Sequence, residues 1–427
     1  MERIAVITFL LVSLMGTRAP AQGLRQPPPG PPPREDRPKG GYSLEQAVSD
    51  QAQLHTIAFN GLAFLTGDAG ASSFLPPGKV ADFFGFQYMR DIDAAGMGHN
   101  PMFLDRIAAA VLGLLDPEQR QTFARAAREE AVLLEAIARR RLPLVAAFHQ
   151  NLAGNLPAGC TGLDQAAVES CTADLFEQDA RLAWHRARAF GAMAGSLSPA
   201  QRHTLATWKF GDFRSWPQID RDAFRELRPR GASKLESVAF MTLGSEFFSW
   251  VAGALEADTY FCPERHGTYF GGFYLKDMPA MGQRDFNIPT SLTGDTGEAF
   301  LQALTPDQRS CLTALLDQQR PALQGIVQTR REMATLLRGF LGAKAPSETE
   351  LRTLGRRYGQ LDGQLAFLYA TAFTAIQRSA DPGQRARFQR LRGLPSQENG
   401  TAFLYSDRIP MPKFPDPSFL LGRKQGA

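Results

Sequence analysis

The chain has 427 residues, 44% of them hydrophobic and 21% charged, with a net charge of +4. That length allows about two domains, and 30 Phe among 10% aromatic residues supply core material that excludes global disorder. The small net charge provides no clustered basic face of the kind that nucleic acid or an anionic membrane requires.

Residues 1–21 have the three parts of a secretory signal peptide: Glu2 and Arg3, an apolar run from Ile4 to Met15, and Ala19-Pro20-Ala21 as the cleavage site. The run falls short of the roughly 20 apolar residues of a membrane anchor. The sequence therefore predicts a periplasmic or secreted protein with no membrane span after signal cleavage. Residues 22–41, with Pro27 to Pro29, Pro31 to Pro33 and Pro38, form a Pro-rich linker that favours extended polyproline II over core formation.

From residue 42 onward the chain repeats itself. Gly85-Phe86-Gln87-Tyr88-Met89-Arg90-Asp91 returns with one deletion as Gly272-Phe273-Tyr274-Leu275-Lys276-Asp277. Leu115-Asp116-Pro117-Glu118-Gln119-Arg120 returns 189 positions later as Leu304-Thr305-Pro306-Asp307-Gln308-Arg309. Leu197-Ser198-Pro199-Ala200-Gln201-Arg202 returns 183 positions later as Ala380-Asp381-Pro382-Gly383-Gln384-Arg385. These ordered matches predict two tandem helical copies, 42–220 and 232–395, followed by a Pro-rich C-terminal tail, 396–427.

Each Pro-x-Gln-Arg box is physically a helix start. Asp, Ser or Thr is the N-cap, Pro fills N1, where its missing N–H costs nothing, and Gln at N3 reaches back to the cap backbone. Behind Pro117 and Pro306 the apolar spacing predicts helices of about 35 residues, which Pro143 and Pro321 would bend or interrupt. Further helical periodicity runs from Leu44 to Leu65, Asp174 to Met193, Leu235 to Leu255 and Leu351 to Ile376. Strand-like alternation is confined to Phe83–Met89 and its twin. The expected fold is mainly α: two tandem homologous helical-bundle domains with long aromatic, Gly- and Pro-containing loops.

At these boxes the chain resembles the LTxxQ motif of the Spy/CpxP family of periplasmic helical proteins. Leu304-Thr305-Pro306-Asp307-Gln308 fits that motif fully. Leu197-Ser198-Pro199-Ala200-Gln201 and Leu115-Asp116-Pro117-Glu118-Gln119 depart at Thr, and Ala380-Asp381-Pro382-Gly383-Gln384 departs at both Leu and Thr. The match covers about five residues per box, and the resemblance implies chaperone-like binding in the periplasm.

Four cysteines in an exported chain predict disulfides, with Cys160–Cys171 as a local bridge and Cys262–Cys311 as the second; three pairings are formally open. The candidate ligand-binding residues lie in the loop Gly67–Met102 and its twin Asp258–Asn287: Arg90, Asp91, His99 and Asn100 in the first, Lys276 and Asp277 in the second. The alternative for the Arg-Asp and Lys-Asp pairs is an ion pair pinning each loop to a helix end. Met97, His99 and Met102 form a soft donor set suited to copper. The second copy carries Gln283 or Arg284 in place of His99, so a duplicated metal site is excluded and no cofactor is predicted. Arg139-Arg140-Arg141 and Arg330-Arg331 read as solvated helix faces. No zincin, hydrolase-elbow, P-loop or haem-attachment motif occurs. The reading is an exported binding or chaperone-like protein without catalytic activity, its partner a protein or an apolar ligand held in a groove between the copies. The alternative is an enzyme, metal-dependent or not, with its site in residues 83–102.

Overall fold

The computed structural model describes residues 50–67, 82–85, 89–90, 101–208, 215–218, 226–260, 294–342, 345–392, 401–404, 407–410 and 416–423. Residues 1–41, read from the sequence as a signal peptide and a linker, lie outside these residues. The protein is mainly helical. Its helices are α1 (Asp50–Thr66), α2 (Pro101–Leu114), α3 (Pro117–Ala153), α4 (Gln165–Ser196), α5 (Pro199–Thr207), α6 (Lys234–Ala252), α7 (Leu255–Tyr260), α8 (Gly294–Ala303), α9 (Pro306–Arg338), α10 (Glu348–Ser379) and α11 (Pro382–Arg392). Short strands are β1 (Met89–Arg90), β2 (Cys160–Leu163), β3 (Thr401–Leu404), β4 (Asp407–Pro410) and β5 (Leu421–Arg423). No described helix is long and apolar enough to cross a membrane.

The helix starts form as the boxes require. Asp116, Ser198 and Thr305 accept from the N3 amide while Gln119, Gln201 and Gln308 accept from the cap backbone. Asp381 accepts from the Gln384 amide at 2.8 Å. The boxes then interlock in pairs. Gln119 Nε2 donates to Gln201 Oε1 at 3.2 Å, and Gln201 Nε2 donates back to Gln119 Oε1 at 2.8 Å. Gln308 and Gln384 repeat this exchange at 3.2 and 2.6 Å. Gln201 and Gln384 also donate to the carbonyls of Leu114 and Ala303, so each interlock ties a third helix end. Only an amide side chain both donates and accepts at this point, which accounts for Gln over Glu. Helices α3 and α9 run uninterrupted for 37 and 33 residues past Pro143 and Pro321.

The packing partners cross the sequence boundary between α5 and α6. Helix α1 packs on α8, α9, α10 and α11, whereas α6 packs on α2 and α3. The contacts correspond pairwise: Phe64 of α1 meets Phe373 of α10 at 5.6 Å between ring centroids, and Phe247 of α6 meets Phe190 of α4 at 5.8 Å. Gly61 lies against Phe373 and Phe300, and Gly244 lies against Leu112. Each five-helix group thus buries a helix supplied by the other part of the chain, inside one continuous core. A protease site inserted between Pro217 and Glu226 and then cut should leave both pieces in one particle on size-exclusion chromatography until denaturant is added. Separation in plain buffer would contradict the exchange.

At the centre α4 and α10 cross antiparallel. Gly355, Gly359 and Gly363 present one stripe of α10 to α4, where an added Cβ would lie 2.6 Å from Ala180 Cβ, 2.3 Å from the Thr172 carbonyl oxygen and 2.1 Å from Thr172 Oγ1. Outside this contact run the ion pairs Arg352–Glu177 and Arg356–Asp174.

The described parts of the Pro-rich tail pair as strands. Strand β3 pairs antiparallel with β1 of the first aromatic loop, Arg90 opposite Phe403, and with β4 on its other edge. Strand β5 pairs with β2 in the α3–α4 connection. The expected Cys160–Cys171 bridge is not formed; both are free thiols, as is exposed Cys311. Cys160 is set by the β2–β5 ladder and Cys171 by the second turn of α4, so main-chain hydrogen bonds hold the two elements without a cross-link. Cys262 lies outside the described residues, and with Cys311 a free thiol the expected Cys262–Cys311 bridge is not formed either.

Candidate functional site

Asp91, Met97, His99, Asn100, Lys276 and Asp277 lie outside the described residues, and Arg90 and Met102 are described through their main chain only. What is described is where the two aromatic loops are rooted. In the first loop the turn Asp82–Gly85 is buried at Asp82, Phe83 and Phe84. Gly85 closes it with φ of 100°, a left-handed conformation that favours glycine, and its amide donates to the Asp82 carbonyl and carboxylate, each at 2.9 Å. The second loop departs from Asp258 and Thr259 at the end of α7.

Arg330 on α9 joins the two roots. Its Nε donates to the Thr259 carbonyl at 3.0 Å, and Nη2 donates to the Asp258 carbonyl at 2.7 Å and the Phe83 carbonyl at 3.4 Å. Nη1 donates to the Tyr358 hydroxyl at 3.3 Å, and the guanidinium lies 4.5 Å from the Phe83 ring centroid. Arg338, about two turns further along α9, donates to the Asp258 carboxylate at 2.8 Å and to the Trp250 carbonyl at 3.2 Å. The planar fork of donors is what lets one side chain hold three main-chain carbonyls, and a guanidinium does not deprotonate. Arg330 therefore fixes loop geometry and does not transfer protons.

Beside it lies a second buried cluster. Arg186 of α4 makes a two-pronged contact with Glu130 of α3 at 3.0 and 2.7 Å and reaches Asp82 at 2.7 Å. All three side chains are 0–1% exposed. Burial pushes the Glu130 carboxyl above its ordinary range against the pull of Arg186, and the neighbouring Asp82 charge pushes the same way. At the matching positions of the second group stand Gln319 and Tyr369. Tyr369 donates to Gln319, which donates to Gln53 of α1 at 3.0 Å. One group thus carries an ion-paired cluster where the other carries a neutral chain of hydrogen bonds.

Arg330 and Arg141, read from sequence as parts of solvated faces, are 1% and 2% exposed. Arg139, in the same run as Arg141, is exposed and pairs with Glu135. Spacing along the helix separates them: Arg141 falls four residues after Ile137 on the apolar stripe, and that stripe was the available signal. Asp82, Glu130 and Arg186 were not anticipated. They come from three separate elements, and no local pattern links them. The glycine stripe was also passed over, although its four-residue spacing is visible in the sequence. Among the described residues, no three His, Cys, Asp or Glu side chains group as metal ligands. Compared with family models, curated proteins and solved structures, the chain finds no match in any of the three.

Proposed function

We propose that this chain is an exported helical binding protein, chaperone-like and without catalytic activity, built by tandem duplication of one unit spanning roughly 42–220 and 232–395. The duplication is supported by the two Gln interlocks and by the Phe64–Phe373 and Phe247–Phe190 contacts, which recur at the spacings read from the sequence. Export is supported by the signal-like first 21 residues. The single observation that carries the binding role is Arg330, whose guanidinium holds the roots of both aromatic loops together. The two loops start side by side at one buried anchor, and the aromatic and glycine-rich composition of their sequences suits a common partner, a protein segment or an apolar ligand. The Spy/CpxP resemblance agrees with this reading, although capping and interlock account for the Gln boxes without a client. The enzyme alternative in residues 83–102 rests on Arg90, Asp91, His99 and Asn100, of which only the Arg90 main chain is described.

The mature protein is expected to delay aggregation of thermally unfolded citrate synthase or to retain a molecule detectable by native mass spectrometry. Arg330→Lys, which loses the fork but keeps the charge, should lower that activity about tenfold while far-ultraviolet circular dichroism stays unchanged. A wild-type protein that neither delays aggregation nor carries a molecule removes the proposal.

A further inference from the structure

A second, separate site lies on the outer face of α3 and α4. A groove of about 540 Å³ runs there, lined among the described residues by Arg140, Ala167, Ser170, Cys171, Asp174, Leu175 and Phe419. Its volume falls within the range of small-molecule sites, about 300–1,000 Å³. One rim is the tail segment Asp416–Arg423, which is fastened immediately after Phe419. Leu420 and Leu421 are buried, the Leu420 carbonyl accepts from the Asp164 amide at 2.9 Å, and β5 is paired to β2. Phe419 itself is 59% exposed. A large apolar ring is therefore held over a groove by an anchored strap and is not packed into the core.

The walls are apolar on the helix side through Leu175, Ala167 and the Cys171 thiol. Burial, and then the nearby Asp174, push that thiol up to about 11, so only a small thiolate fraction is open to alkylation and its labelling is slow. Two charges reach the groove. Asp174 is engaged by Arg356 at 2.5 Å. Exposed Arg140 has no ion-pair partner among the described residues, so the groove offers one open cation beside an aliphatic and aromatic lining. A guanidinium fork matches a carboxylate with two parallel hydrogen bonds.

We infer that this groove binds a single-chain amphipathic carboxylate, its head on Arg140 and its aliphatic chain between Leu175, Cys171 and Phe419. The site shares no residue with the loop roots at Arg330, so the two can fail independently.

The test uses the mature full chain with dodecanoate below its micelle concentration, read by N-ethylmaleimide labelling and peptide mass spectrometry. Saturating dodecanoate is expected to slow labelling of Cys171 at least about fivefold through burial of the thiol, leaving exposed Cys311 unchanged. Arg140→Gln should weaken the protecting concentration about tenfold through loss of the charge-assisted pair, and Phe419→Ala should weaken it as well. Both residues are exposed, so folding is not at stake in either variant. Dodecyltrimethylammonium, with the opposite head charge, should give no protection. The inference is overturned if dodecanoate leaves Cys171 labelling unchanged, if the cationic amphiphile protects equally, or if Arg140→Gln binds as the wild type does.

Discussion

Arg186→Met is expected to be among the most damaging single substitutions in this chain, lowering stability by about 3–5 kcal/mol. The guanidinium sits between two carboxylates, Glu130 and Asp82, in a place with almost no solvent. Taking it away leaves both buried acids without that cation, and the desolvation cost of each, formerly offset, is then felt in full. The response to pH identifies the cause. Without Arg186 the Glu130 carboxyl, already raised by burial, loses the cation that pulls it down and holds its folded-state proton to higher pH than in the unfolded chain. A raised folded pKa gives stability that is present at low pH and lost as pH rises, so the deficit should shrink on going from pH 8 to pH 5. The second group of helices shows what a neutral solution looks like. The combined change Asp82→Asn, Glu130→Gln and Arg186→Tyr, which copies the Gln319–Tyr369 chemistry, should recover much of the loss. Urea unfolding followed by circular dichroism measures all of these; a loss below about 1 kcal/mol for Arg186→Met would show that the cluster is not a buried ion pair.

The second large effect is expected at Gly359. In an open helix Gly→Ala gains about 1 kcal/mol of helix propensity. At Gly359 the new methyl would lie 2.3 Å from the Thr172 carbonyl oxygen, 2.7 Å from Ala173 Cα and 2.8 Å from Phe176 Cβ. Two of these are main-chain atoms of α4 and cannot swing aside, so α10 must lift off its partner. Overpacking of this kind costs about 1–3 kcal/mol or more, and it outweighs the propensity gain. Because α4–α10 is the central contact between the two groups of helices, Gly359→Ala should lower the thermal midpoint and Gly359→Leu should prevent stable folding. Gly195→Ala, at a helical position with nothing within 4 Å, is the control and should be neutral or slightly stabilising. Equal midpoints for Gly359→Ala and the wild type would mean that the helices cross further apart than described.

Much of the fold was legible because its determinants are local. An N-cap, a proline at N1 and a Gln at N3 occupy four consecutive positions, and those boxes start α3, α5, α9 and α11 within a residue of where the sequence places them. Apolar periodicity likewise located α1, α4, α6 and α10. The same local logic erred where burial depends on distant chain. Arg330 looks like its exposed neighbours until Phe83 and Asp258 arrive from segments 247 and 72 positions away. The candidate residues Asp91, His99, Asn100, Lys276 and Asp277 fall outside the described structure, yet the roots of their loops are fixed by side chains that carried no sequence signal.

By itself, then, the sequence determined which segments are helical, where they begin and which face of each is apolar. Those properties follow from hydrogen bonds and side-chain spacing within a few turns. Only the tertiary structure decided that α1 packs on α8 to α11 and α6 on α2 and α3, because an apolar stripe specifies that it must be covered but not which surface covers it. It also decided that segments of the tail return as strands against β1 and β2, and that Arg141, Arg186 and Arg330 lie inside the molecule. A strand edge or a buried charge is stabilised only by its partner, and these partners lie far away along the chain.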